Sequence, residues 1–167
     1  YKDAVEKIFQ KVRDFDQVKN IAIDAIGCRV VHGGAKFYQP IVIETKTLQE
    51  IRQLKNLAPL HNVIAAEILE TSQKVFPTIP VVAVFDTSFH HTLADVATRY
   101  ALPQELSEKY QLRRYGFHGI AHQYVSETLL KCIGKPAAGT RVITCHLGSG
   151  DSICAIKDGK SIDTSMG

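Results

Sequence analysis

At 167 residues and 45% hydrophobic content, the chain can bury a sizeable core as one domain or as parts of two. A formal charge of only +3, dispersed along the chain, argues against nucleic acid as the main partner, and no apolar run approaches membrane-spanning length. The start carries no signal-peptide pattern, and the four cysteines at 28, 132, 145 and 154 form no CxxC, so they read as reduced core residues of a cytosolic protein.

In chain order, Ala4, Val5, Ile8, Phe9 and Val12 have helical spacing over residues 3–15, and Asp3 with Glu6 has the spacing of a capping pair. Residues 26–32 read as a strand ending at Gly33-Gly34. Arg29 lies inside that strand, between Cys28 and Val30. An arginine buried in an apolar strand needs a partner. Two readings stand: a structural salt bridge, or a planar clamp for a carboxylate or phosphate. His32 reads as a satisfied polar residue at the strand end.

Residues 35–40 read as a loop closing at Pro40. Thr47 and Glu50 form a capping box for a short helix carrying Leu48, Ile51 and Leu54. Pro59 breaks the pattern, and Asn62 is placed to cap a helix that runs to about Phe76 and stops at Pro77, with His61 just outside it. The continuous apolar run Val81–Phe85 predicts a strand covered on both faces, ended by Asp86. Strand ends open onto the cleft in α/β folds, so Asp86 is a candidate catalytic acid, with a turn cap as the alternative. His90-His91 is a poor metal-binding pair and reads as a loop or helix-start feature.

Residues 92–114 read as short helical pieces broken at Pro103, with a solvated basic pair at Arg113-Arg114. Tyr124, Val125, Leu129 and Cys132 form the apolar stripe of the next helix, which Gly134 ends. His118 stands at that helix's start between Gly116 and Gly119, where it can donate to an anion. His118 and His122 have zinc-motif spacing, but HGIAH lacks the glutamate of the metalloprotease pattern and has no supporting third ligand. No metal site is assigned within the chain.

The end of the chain, 141–167, reads as three strands and two turns. Asp158-Gly159 predicts a type I′ hairpin between Ser152–Lys157 and the last strand. Gly148-Ser149-Gly150 joins Arg141–Leu147 to Ser152–Lys157, with His146 at the strand end facing it. A hairpin needs only one glycine. Glycine tolerates positive φ and lets backbone N–H groups approach a ligand, and several such groups can make an anion-binding concavity. Two readings remain open: a phosphate cradle, or a flexible loop with an incidental histidine.

Taken together, GCRVVHGG (27–34), LAPLHN (57–62), VFDTSFH (84–90), RRYGFHG (113–119), HLGSG (146–150) and DTSMG (163–167) resemble the motifs of the acetokinase family, within the actin-like ATPase superfamily. Each motif is modest alone; the ordered set spans nearly the whole chain. The resemblance implies an α/β, ribonuclease H-like (actin-like ATPase) fold that is incomplete. Residues 1–88 correspond to the C-terminal part of the first domain, on the acetate side. Residues 89–167 correspond to the N-terminal part of the second, carrying the nucleotide phosphate loop.

The resemblance also implies reversible, in-line transfer of the γ-phosphoryl group of ATP to acetate with Mg²⁺, giving acetyl phosphate and ADP. Acetate is already ionised at pH 7, so the task is to hold two anions together and stabilise the developing charge. On that basis Arg29 engages acetate and the transferring group, His118 stabilises the transition state, and Asp86 orients the reactants or organises magnesium. His146, Leu147, Gly148, Ser149 and Gly150 surround the ATP phosphates. Val31, Leu60 and Phe117 wall the pocket for the acetate methyl. One methylene is worth only about 1–3 kcal/mol of discrimination, so propionate is the near alternative acceptor. A cytoplasmic homodimer is implied, without nucleic-acid or membrane partners.

The sequence departs from the family pattern at Cys28 (usually His), Val63 (usually Pro), Ser149 (usually Asn) and Asp151 (usually small). Ser149 loses a side-chain amide, and Asp151 adds charge beside the proposed phosphate site. Tyr1 in place of Met, and the ending at Gly167, predict a fragment or a processed product. The family's Asn/Ser/Lys phosphate motif, adenosine-binding glycines, second catalytic arginine and magnesium-binding glutamate are not among these residues. The expectation is that they lack kinase activity alone. A non-catalytic phosphate-binding remnant is the alternative from another class, and a hydrolase using His118 is a third.

Overall fold

A computed structural model describes residues 2–15 and 22–167. The chain divides into two compact units, Tyr1–Phe85 and Asp86–Gly167, each built on its own three-stranded sheet.

In the first unit, β1 (Ile26–Val30) runs parallel to β3 (Val81–Phe85), with Arg29 opposite Val84. The short β2 (Ile41–Val42) pairs antiparallel on the other side of β3. Along β3, Val81, Ala83 and Phe85 are buried and Val82 and Val84 half-buried, as a strand covered on both faces requires. Among its described residues this unit carries the α-helices α1 (Lys2–Asp14), α2 (Thr45–Gln53) and α3 (Pro59–Val75). Ile51 of α2 and Leu69 of α3 pack into the core with Val30 and Phe85, and the Phe37 ring stacks on Phe85 at 5.1 Å. Fully burying each of these side chains contributes about 1.5–3 kcal/mol. α1 joins α3 through Phe9, whose ring meets that of Phe76 edge to face at 5.0 Å.

Several local expectations change here. β1 ends at Val30, short of His32, and Arg29 is exposed rather than buried, because strand alternation turns Val30 into the core and its neighbour outward. β2 was not legible as a strand; it is two residues long and follows a proline. α1 already includes Lys2, so Asp3 sits in its first turn instead of capping it. α2 begins at Thr45 with Glu44 as N-cap, which leaves Thr47 buried inside the helix and no capping box. α3 begins at Pro59, where proline presets φ and its missing N–H has no helical partner to lose. Pro59 thus starts the helix it was expected to precede. His61 lies in the first turn, and Asn62 is an interior residue facing β1.

The second unit contains α4 (Asp95–Thr98), α5 (Gln104–Tyr110), α6 (Gly119–Cys132) and the antiparallel strands β4 (Arg141–His146), β5 (Ser152–Lys157) and β6 (Lys160–Thr164) in that order. A 3₁₀ turn, Ser88–Thr92, precedes α4. The β5–β6 turn has φ of 54° at Asp158 and 74° at Gly159, the pair of positive values a type I′ hairpin requires. Phe89, Leu130, Val142, Cys154 and Ile156 form the core.

The buried face of α6 is not the apolar stripe. Tyr124 is 69% exposed and Val125, Leu129 and Cys132 are also exposed, whereas Gly119, His122, Ser126 and Leu130 face inward. Polar residues are tolerated on this face because each has a hydrogen-bond partner, on the strands for His122 and within the helix for Ser126. The cysteine expectation also changes: Cys154 is buried and Cys28 half-buried, but Cys132 and Cys145 are exposed, and all are free thiols. Among the described residues, no helix is long and apolar enough to cross a membrane.

Candidate active site

In the first unit, the end of β1 is clasped to the start of α3. The Asn62 side chain is wholly buried, accepts the N–H of His32 at 3.1 Å and donates to the His32 carbonyl at 2.8 Å. This two-way bond positions the segments that carry Val31 and Leu60. Val31 is half-buried, and Leu60 is 77% exposed. His32 turns inward and accepts the N–H of Gly34 on Nδ1 at 2.9 Å, so it is the satisfied strand-end histidine the sequence suggested. Burial lowers its pKa to about 4, which keeps it neutral.

In the second unit, Asp86 directly follows β3 and is 2% exposed. Its backbone carbonyl accepts the N–H of Gly119 at 2.8 Å, which docks the start of α6 against it. His118 is the N-cap of α6, with φ 58° and ψ 22°. A left-handed conformation is uncommon for a residue with a Cβ and persists only where the surroundings impose it. Phe117, beside it, is half-buried.

The His118 ring meets that of His146, the last residue of β4, with centroids 4.2 Å apart. It also borders the glycine loop, since a Cβ on Gly150 would lie 3.4 Å from His118 Cε1. His146, Leu147, Gly148, Ser149 and Gly150 are thereby contiguous with His118. Positive φ is not what this loop needs its glycines for, because neither Gly148 nor Gly150 adopts it. The glycines leave the backbone open, and Leu147, Gly148 and Ser149 are exposed. Asp151 folds back, and its Oδ1 accepts the N–H of Gly148 at 3.1 Å.

The strands flanking the loop are fixed by a residue that sequence reasoning had weighed only as a metal ligand. His122, one turn along α6 from His118, is buried between them. Its Nδ1 bonds the Thr144 hydroxyl of β4 at 2.7 Å and its Nε2 the Ser152 hydroxyl of β5 at 3.0 Å. Burial, aided by the nearby His90, His118 and His146, lowers its pKa to about 4. One nitrogen of the neutral ring donates and the other accepts. A single helix therefore carries both His118 and the brace for the loop beside it. Ser or Thr at strand positions facing a helical histidine was the available signal, but it needs the register to be read. Among the described residues, no group of three or more His, Cys, Asp or Glu side chains gathers as a metal site.

A model of the acetokinase family matches residues 1–167. The acetate kinase of Helicobacter acinonychis is 52% identical over 93% of this chain and 38% of its own length. That of Bacillus subtilis is 46% identical over 98% of this chain and 42% of its own. The crystal structure of Porphyromonas gingivalis acetate kinase superposes with a TM-score of 0.93 at 41% identity, covering 100% of this chain and 43% of that one. A propionate kinase from Francisella tularensis superposes at 0.90 with 45% identity, covering 100% and 42%. The chain thus spans about two fifths of the length of these relatives. Its mixed α/β architecture is part of the actin-like ATPase fold of these kinases, and the chain belongs to the acetokinase family.

Proposed function

We propose that the full-length protein carrying this sequence is an acetate kinase that transfers the γ-phosphoryl group of ATP to acetate, reversibly and in line. The observation that supports this most directly is the His118 imidazole set against His146 and Gly150, at the mouth of an open glycine loop. An imidazole beside an exposed glycine loop suits charge that develops on a transferring phosphoryl group. The loop from His146 to Gly150 is assigned to the ATP phosphates. Arg29, exposed on β1, is assigned to the acetate carboxylate and the moving phosphoryl group, which a guanidinium can hold through paired hydrogen bonds. Val31, Leu60 and Phe117 are assigned to the acyl methyl.

Asp86, buried directly after β3, is assigned to orienting the reactants or organising magnesium, a cation commonly held by one or two carboxylates together with substrate phosphates. When bound, the ion supplies neutralisation of phosphate charge. We further propose that the two units are parts of the first and second actin-like domains, and that the enzyme is a cytoplasmic homodimer, as the family resemblance implies.

Propionate kinase is the second reading, favoured by the close superposition on the Francisella tularensis propionate kinase. The test is direct: full-length protein is incubated with ATP, Mg²⁺ and either acid, and the acyl phosphate is trapped with hydroxylamine. Higher kcat/KM for acetate supports the first reading, and higher kcat/KM for propionate supports the second. Turnover of neither overturns both.

A further inference from the structure

We propose that His90 is a positioning residue that holds the catalytic segment Gly116-Phe117-His118 in its left-handed bend. This rests on the assignment of His118 to phosphoryl transfer.

The sequence offered His90 as half of an unremarkable pair, but the two histidines part company in the structure. His91 is exposed, with its Nδ1 on the Ser88 carbonyl within the same 3₁₀ turn. His90 is 1% exposed and makes two long-range bonds. Its Nε2 lies 3.0 Å from the carbonyl of Phe117, and its Nδ1 lies 2.8 Å from Ser161 Oγ on β6. A carbonyl only accepts, so Nε2 carries the proton and Nδ1 accepts from the serine hydroxyl. That pattern defines one neutral tautomer, and burial, which lowers the pKa of His90, favours it.

The ring also acts by its volume. Gly116 has φ 75°, and a Cβ there would fall 2.5 Å from His90 Cγ and 2.6 Å from Cδ2. The backbone at 116 therefore packs directly against the imidazole, with no room for a side chain between them. Two residues later, His118 adopts φ 58°. A strained, left-handed non-glycine residue needs its neighbours held. Here the carbonyl before it is held by His90, the amide after it by the Asp86 carbonyl at 2.8 Å, and its own carbonyl accepts the N–H of His122 at 3.0 Å. His90 is thus one of the supports of the bend that aims His118. It acts through His118 without touching substrate, and a small misplacement of a reacting group can cost about 10²-fold in rate.

The test uses full-length protein and two variants. His90→Leu keeps most of the volume and removes the donor; His90→Gln restores an N–H at a similar reach. The expected result is that His90→Leu lowers kcat by about 10–10²-fold with smaller changes in KM, and that His90→Gln recovers a large part of it. The ¹³Cα and ¹³Cβ shifts of His118, which report its backbone conformation, should leave the left-handed range in His90→Leu and return in His90→Gln. Wild-type kcat together with unchanged His118 shifts in His90→Leu overturns the proposal. Loss of kcat that the Gln variant does not recover, with His118 shifts unmoved, also overturns it and leaves a general structural role. If His90→Leu does not fold, Ser161→Ala, which releases the tautomer, is read by the same two criteria. The shifts keep this test separate from the kinase reading: absence of turnover in the wild type defeats that reading, while the shifts still decide whether His90 sets the bend.

Discussion

His118 and His146 meet edge to face, with ring planes at 72° and centroids 4.2 Å apart. One is the N-cap of α6 and the other the last residue of β4, so a single aromatic contact ties the helix start to the strand that enters the glycine loop. His118→Ala should lower kcat of the full-length enzyme by about 10²–10³-fold, the usual effect of removing one transition-state donor. The circular dichroism spectrum and urea midpoint should stay close to wild type, since His118 is half-buried as a residue and lies outside the apolar core. Near-normal turnover would remove His118 from the mechanism.

Arg29 separates function from stability in another way. The residue lies on the exposed side of β1, where surface interactions of an arginine are worth little, so Arg29→Ala should change unfolding free energy by no more than about 1 kcal/mol. Turnover should nevertheless collapse, and Arg29→Lys should recover little of it, because an ammonium cannot reproduce the planar fork. Steady-state kinetics of the two variants decide this, with full activity of Arg29→Ala as the contrary outcome.

Asn62 has the opposite profile. Asn62→Leu leaves the N–H and carbonyl of His32 without the side chain that satisfies them. The expected loss is about 1–3 kcal/mol for each buried backbone group left unpaired. Urea denaturation measures it, and an unchanged midpoint would show that the clasp adds nothing.

Asp151 places a carboxylate against the Gly148 amide, in the loop assigned to the ATP phosphates. Asp151→Asn keeps an acceptor and removes the charge. At the loop surface, one unit charge at about 4 Å is worth about 1 kcal/mol in water, so ATP affinity should rise by up to about fivefold at low salt. The gain should shrink as salt is added. Isothermal titration calorimetry at two ionic strengths checks both statements, and equal affinities at low salt contradict them.

Stability should fall on mild acidification. Burial lowers the pKa of His32 and His122 from 6.5 to about 4 in the folded chain. Unfolded, each binds a proton below about pH 6.5; folded, each stays neutral until about pH 4. The unfolded state therefore takes up more protons across that window, and the stabilisation present above pH 6.5 is lost as pH drops through it. The urea midpoint should decline from pH 7.5 to 5.5, above the ordinary carboxylate range. His122→Gln should show a shallower decline, and a flat wild-type profile would contradict the assignment.

Local sequence determined the elements whose causes are local. Asp158-Gly159 specified its turn because few residue pairs accept two positive φ values, and Val81–Phe85 specified a strand because a continuous β-branched and apolar run suits burial on both faces. The motif order pointed to the family to which the chain belongs, and offered His118, Asp86, Arg29 and the glycine loop as candidates. Tertiary structure decided what depends on partners distant in the chain. Arg29 turned outward because Val30 took the core face of β1, and Pro59 opened a helix it was expected to precede. The inward face of α6 went to His122 and Ser126 in place of Tyr124 and Val125, because Thr144 and Ser152 satisfy the His122 ring and the Gln123 carbonyl of the helix itself accepts from Ser126. His90 and Asn62, ordinary in sequence, became supports for the candidate site only when β6, β1 and the Phe117 carbonyl came within reach. No periodicity encodes a bond across 71 residues, the separation of His90 and Ser161, and only the folded chain brings the two together.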